Sequence, residues 1–108
     1  MLILFDNGTP SPLRHALKGH EVVEAIDRGW DRLLNGVLIA AAEAAGFDLL
    51  LTTDKNIRYQ QNLKDRKIAF VVLGNQRWPV FRSHVEKVLA PVDRATPGSY
   101  MEVNISFQ

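Results

Sequence analysis

The sequence contains no cysteine, which excludes disulfides and thiolate metal centres and fits a reducing compartment, so a cytoplasmic location is the expectation. Charge of either sign is scarcely in excess: 13 Lys+Arg against 12 Asp+Glu leave a formal net charge of +1. No global field draws in nucleic acid, and any such binding needs a local patch. Long apolar runs are missing too. The opening run from Met1 to Phe5 meets Asp6 at once, and later apolar stretches are broken by Glu43, Asp48 or Asp54. The first is too short for a signal-peptide core, and none approaches the roughly 20 residues of a membrane span, so no membrane partner is expected. There is no internal repeat or low-complexity tract, and the histidines His15, His20 and His84 lack zinc-ligand spacing. They read as surface or helix-end residues.

What is present is an ordinary globular composition, 46% hydrophobic and 23% charged over 108 residues, enough for one domain spanning residues 1–108. Strand and helix patterns alternate along it. Leu2 to Phe5 reads as a short buried strand. Ser11-Pro12 offers an N-cap and a first-turn proline for a helix through Leu13 and Leu17 that Gly19 stops. Glu21 to Ala25 is a second strand, and after the turn-like Asp27-Arg28-Gly29-Trp30, Asn35 caps a helix of Ala, Leu and Ile ending at Gly46. Asp48 to Thr52 and Ile68 to Leu73 are unbroken apolar runs, the signature of strands covered on both faces. Pro79 opens a helix with Val80, Phe81, Val85, Val88 and Leu89 on one side. Thr96-Pro97-Gly98-Ser99 is a turn, and Tyr100 to Phe107 alternates as a half-exposed edge strand. The sum is an α/β domain: a three-layer α/β/α arrangement with a mainly parallel sheet and a C-terminal edge strand.

Two of these strands run straight into an aspartate, Leu-Ile-Leu-Phe-Asp6-Asn7 and Leu-Leu-Leu-Thr-Thr-Asp54-Lys55-Asn56. If they are parallel neighbours, both carboxylates emerge at the sheet edge where open α/β folds place their ligands. Two carboxylates there can seat a hard divalent cation, Mg²⁺ or Mn²⁺. Thr52 and Thr53 are placed to orient Asp54, and Lys55 and Arg58 place cations just beyond it, suited to a phosphodiester. The bland alternative is an aspartate that begins a loop and solvated loop charge. Asn56 to Leu63 brings Arg58, Tyr59 and several amides, which suit unpaired bases as well as a polar connecting helix whose Ile57 and Leu63 dock on the core. Trp78, after the fourth strand, is either a base platform or a staple for the helix that follows, and Arg28 with Trp30 is either a substrate rim or an ordered loop around a buried tryptophan.

The opening Leu-Ile-Leu-Phe-Asp-Asn, the helix introduced by Asn35-Gly36, and Leu-Leu-Thr-Thr-Asp-Lys-Asn together resemble the small PIN-like domain family of the DUF5615 type, related to the Mut7 C-terminal domain. The resemblance covers nearly the whole chain in order, with Asp6 and Thr53-Asp54-Lys55 its distinctive residues. It implies a metal-dependent endoribonuclease fold, an RNA substrate, and a toxin role with an antitoxin protein as partner. Residue by residue, Asp6 and Asp54 match the family's acidic positions and are the implied catalytic residues. Asn35 stands where members often carry an aspartate, and Asn56 replaces the second aspartate of the usual Asp-Lys-Asp. The implied metal set is then Asp6, Asp54, Asn7 and Asn35, with Lys55, Asn56, Arg58, Tyr59, Arg28 and Trp78 contacting RNA. An asparagine offers an oxygen but neither negative charge nor a base, so the alternative is a catalytically weakened module that binds RNA or a partner protein. Glu43, further along the Asn35 helix, is either a compensating acid or a helix-surface residue. A phospho-receiver domain also places aspartates after its first and third strands. It normally needs an acidic pair after the first, where this chain has Asp6-Asn7, and a lysine after its last parallel strand, whereas Leu73 is followed by Gly74-Asn75. The last strand and the Trp78 region are the surfaces on which a homodimer would form.

Overall fold

The computed structural model describes residues 1–57, 63, 66–74 and 82–103. Five strands, β1 (Leu2–Phe5), β2 (Glu21–Glu24), β3 (Leu49–Thr52), β4 (Ala69–Leu73) and β5 (Tyr100–Val103), form one sheet in the order β2-β1-β3-β4-β5. Every pairing is parallel. Parallel neighbours need crossovers, and helical segments supply them: 3₁₀ helices at Ser11–Ala16 and Ala25–Arg28, α1 (Asn35–Ala44) and α2 (Glu86–Arg94).

The unbroken apolar runs have the reason the sequence suggested. Successive side chains of a strand point to opposite faces, and here both faces are covered. Ile3, Phe5, Leu49, Leu51, Val71 and Leu73 pack with Leu13 and Leu17 from the first crossover and with Val88 and Val92 of α2. Leu4, Leu50, Phe70 and Val72 pack with Leu38, Ile39 and Ala42 of α1. Ile57 is buried in this second cluster and Leu63 packs against it, as the docked connecting segment requires.

Several local expectations shift. Ser11 does not cap its helix: the cap position falls on Pro10, and the segment is 3₁₀ rather than α, closing with Leu17 N–H donating to the Arg14 carbonyl. Asn35 is the first residue inside α1, and Leu34 occupies the cap; the asparagine's amide is engaged by a partner across the sheet edge instead. The second strand ends at Glu24, and the third and fourth begin at Leu49 and Ala69. Asp48 uses its carboxylate to accept the Leu2 N–H at 2.8 Å, tying the start of β1 to β3. The last helix passes through Pro91 to Arg94. The expected helix start at Pro79 with Val80 and Phe81, and the last strand beyond Val103, lie outside the described residues, as do Arg58, Tyr59 and Trp78.

Glu43 belongs to the opposite edge from the aspartates. It accepts from Arg66 at 2.8 Å and from the Lys67 N–H at 2.8 Å. Burial works against its charged form, but these donors outweigh it and hold its carboxyl below the usual glutamate range. Glu43 therefore clamps α1 to the approach of β4 and supplies no acid to the other end. Nearby, Gly98 has φ +78°, and a Cβ built on it would meet the Arg66 carbonyl oxygen at 2.9 Å. Gly98→Ala is expected to lose more than about 1 kcal/mol in urea unfolding, from the left-handed backbone and the close approach together.

Candidate functional site

The site forms because β1 and β3 are direct neighbours, with Ile3, Leu4 and Phe5 opposite Leu49, Leu50 and Leu51. One residue on, Asp6 leaves β1 beside the end of β3, its N–H donating to the Leu51 carbonyl at 3.0 Å. The strand order reverses between β1 and β3: β2 lies on one side of this pair, β4 and β5 on the other. The crevice at such a reversal, outside the carboxyl ends of the strands, is where open α/β sheets bind ligands.

Thr52 joins the two aspartates. Its hydroxyl donates to Asp6 Oδ2 at 2.8 Å and accepts the backbone N–H of Asp54 at 3.1 Å. The Thr52 side chain is fully buried, which shields both bonds from competing water on its side. The other Asp6 oxygen accepts the Asn7 N–H at 2.7 Å. Asp54 Oδ1 accepts the Asn56 N–H at 2.9 Å, a local turn that fixes the carboxylate, and Asp54 Oδ2 accepts Asn35 Nδ2 at 2.7 Å. Asn35 is the first residue of α1, so the positive end of that helix lies beside the Asp54 carboxylate. Asn7 turns its amide to the backbone carbonyl of Asp31, and Thr9, also buried, donates to the Leu51 carbonyl at 2.9 Å. These bonds fasten the loop after β1 to β3 and to the approach of α1.

Burial pushes the Asp6 carboxyl above the usual aspartate range, and the charge of Asp54 adds to it; the Thr52 hydroxyl and the Asn7 N–H oppose the shift without cancelling it. The sign follows. A carboxyl that holds its proton more tightly in the folded state lowers stability as pH rises through its titration. Asp6→Asn is therefore expected to raise the melting temperature of the metal-free protein at neutral pH. The gain should shrink once the pH falls below the ordinary carboxylate range, where the wild-type side chain is protonated folded or unfolded. A melting temperature lowered at pH 7 would contradict this account.

Of the residues singled out from sequence, the structure brings Asp6, Asn7, Asn35, Asp54 and the backbone of Asn56 into one network, with Lys55 exposed beside it. Arg28 and Trp30 form a separate stack. The guanidinium lies 4.9 Å from the Trp30 ring centre and 5.6 Å from that of Phe47, and the two rings meet edge-on at 6.0 Å. Trp30 is partly buried against the core cluster that includes α1, and Arg28 stays exposed beside it. A cavity of about 450 Å³ lies at the other end of the strands, among Met1, Phe47, Asp48, Ile68 and Thr96, and takes no part in the acidic network. The bond from Thr52 to Asp6 was not read from sequence; its signal was a polar residue closing a run of leucines in a buried strand.

Among the described residues no three acidic or histidine side chains gather as a metal cluster. The donor set still fits sparse coordination. Mg²⁺ keeps most of its waters and takes one or two carboxylates, and a carboxylate oxygen that accepts one hydrogen bond retains further acceptor capacity. Comparison of the chain with protein-family models, with curated proteins and with solved structures finds no match. No helix among the described residues is long and apolar enough to cross a membrane.

Proposed function

We propose that the chain is a PIN-like, Mg²⁺- or Mn²⁺-dependent endoribonuclease with a sparse acidic site. The observation that carries this reading is the pair Asp6 and Asp54 at the carboxyl ends of adjacent parallel strands, held in one arrangement by Thr52. Asp6 and Asp54 would hold the ion, directly or through water, and the resemblance assigns Asn7 and Asn35 to complete its shell. A bound divalent ion there supplies polarisation of the phosphate and a hydroxide from its own water. Lys55, exposed just past Asp54, neutralises the phosphodiester, and Arg58, Tyr59 and Trp78 extend the RNA-contacting set by sequence. The resemblance to the PIN-like family extends the proposal to a cytoplasmic toxin held by an antitoxin protein, with a homodimer as the assembled form.

The test is cleavage of a mixed single-stranded RNA with Mn²⁺ or Mg²⁺ by the wild type, Asp6→Asn and Asp54→Asn. Loss of at least about 10²-fold in either variant is expected, since each removes charge that positions the ion. Equal rates in all three would refute the reading. One observation favours a second reading, a weakened module that binds RNA or a partner protein: the Asn35 amide already satisfies an Asp54 oxygen. RNA retention on the protein in EDTA, without cleavage in Mn²⁺, would select it.

A further inference from the structure

We infer that the cavity at the amino ends of the strands is a binding site for a free apolar amino acid, a small zwitterion with an apolar side chain, held between Asp48 and Lys67. The cavity lies at the opposite end of β3 from Asp54, so the inference is independent of the reading of the acidic pair. Its volume of about 450 Å³ falls within the roughly 300–1,000 Å³ of small-molecule sites, which are mostly apolar with a few polar groups that fix orientation. Both parts are present here. Phe47, Ile68 and Ala69 line the cavity and are buried, so core packing fixes the apolar wall. The charged lining decides the class of ligand. Glu43 also lines the cavity, but its charge is committed: it accepts from Arg66 at 2.8 Å and from the Lys67 N–H at 2.8 Å. Asp48 uses Oδ2 to accept the Leu2 N–H at 2.8 Å, and its other oxygen accepts no hydrogen bond from a described residue. The Lys67 ammonium has no ion-pair or hydrogen-bond partner among the described residues. Two exposed side chains of opposite charge thus border one cavity without pairing with each other. A ligand of single charge would satisfy one and be repelled by the other, and a neutral apolar molecule would use neither. A zwitterion answers both: its ammonium donates to Asp48, its carboxylate accepts from Lys67, and its side chain lies against the apolar wall.

The experiment titrates the full chain with L-phenylalanine and L-leucine, followed by two-dimensional amide NMR, beside N-acetyl-phenylalanine and phenylalanine methyl ester, each of which lacks one of the two charges. Saturable shifts at the residues lining the cavity are expected with both amino acids, and binding at least about fivefold weaker for each derivative. Lys67→Met removes the ammonium and keeps the backbone N–H that Glu43 accepts, while Asp48→Asn keeps a carbonyl oxygen for the Leu2 N–H. Each variant should weaken L-phenylalanine at least about fivefold and lose its discrimination against the derivative that lacks the matching charge: the methyl ester for Lys67→Met, the N-acetyl form for Asp48→Asn. If a variant does not fold, the derivatives on the wild type decide. No saturable shift up to about 20 mM ligand overturns the inference. So does equal or tighter binding of either derivative to the wild type, which would mean an apolar pocket that does not read both charges, and so does L-phenylalanine binding that a folded Lys67→Met or Asp48→Asn leaves unchanged.

Discussion

Thr52→Val is expected to cost about 2–3 kcal/mol in denaturant unfolding and to abolish RNA cleavage. Valine keeps the shape and the strand preference of threonine, so the loss isolates the hydroxyl. That oxygen makes two bonds at once, donating to the Asp6 carboxylate at 2.8 Å and accepting the Asp54 N–H at 3.1 Å, in a side chain with no solvent exposure. A hydrogen bond to a charged group contributes about 1.5–3 kcal/mol, and a buried partner left without one is costly to keep. The Asp6 carboxyl, already raised by burial, loses one of the two donors that restrain it, so in the variant it shifts further up. The cleavage loss follows from geometry, because the Asp6 carboxylate loses the side-chain bond that fixes it against the strand end from which Asp54 leaves. Thr52→Ser is the control: it retains the hydroxyl, loses one methyl, about 1 kcal/mol by transfer, and should keep cleavage. A Thr52→Val protein as stable as the wild type would show that the hydroxyl does not bridge the pair.

Phe70→Ala is expected to cost about 3–5 kcal/mol, a large share of the 5–15 kcal/mol that holds a domain of this size folded. Phe70 is fully buried in β4, in the cluster that seats Leu38, Ile39 and Ala42 of α1. Truncation removes the transfer free energy of the ring and leaves a cavity that β3 and β5 on either side prevent from closing. The consequence reaches the site, since α1 carries Asn35. Urea unfolding measures the first effect, and loss of amide-exchange protection in α1 before that in β1 measures the second. Phe70→Leu, which retains most of the volume, should cost less than half as much. An equal cost for the two would mean that the pocket is not packed around the ring.

How far the chain could be read without its fold depends on the range of the interaction. The strands, their order along the chain and the covered faces were legible because period and apolar run length are local properties, and Leu49-Leu50-Leu51 or Phe70-Val71-Val72 admit few other environments. The two strand-to-aspartate junctions were legible for the same reason. Cap assignments were less so. Asn35 reads as a helix cap by residue type alone, and the structure gives its amide to Asp54 instead because the start of α1 falls at the sheet edge where that carboxylate stands. Arg28 and Trp30 read equally well as a rim, and their stack on Phe47 depends on a loop folding over the end of α1.

By itself, then, the sequence determined an α/β chain with Asp6 and Asp54 at strand ends, because hydrophobic periodicity and the breaks in it are written residue by residue. The tertiary structure decided that β1 and β3 are neighbours, that Thr52 spans 46 residues of sequence to hold Asp6, and that Asn35 is the donor facing Asp54. Those are contacts between segments remote along the chain, and they exist only where burial of both sheet faces brings the strand ends and the first turn of α1 to one edge.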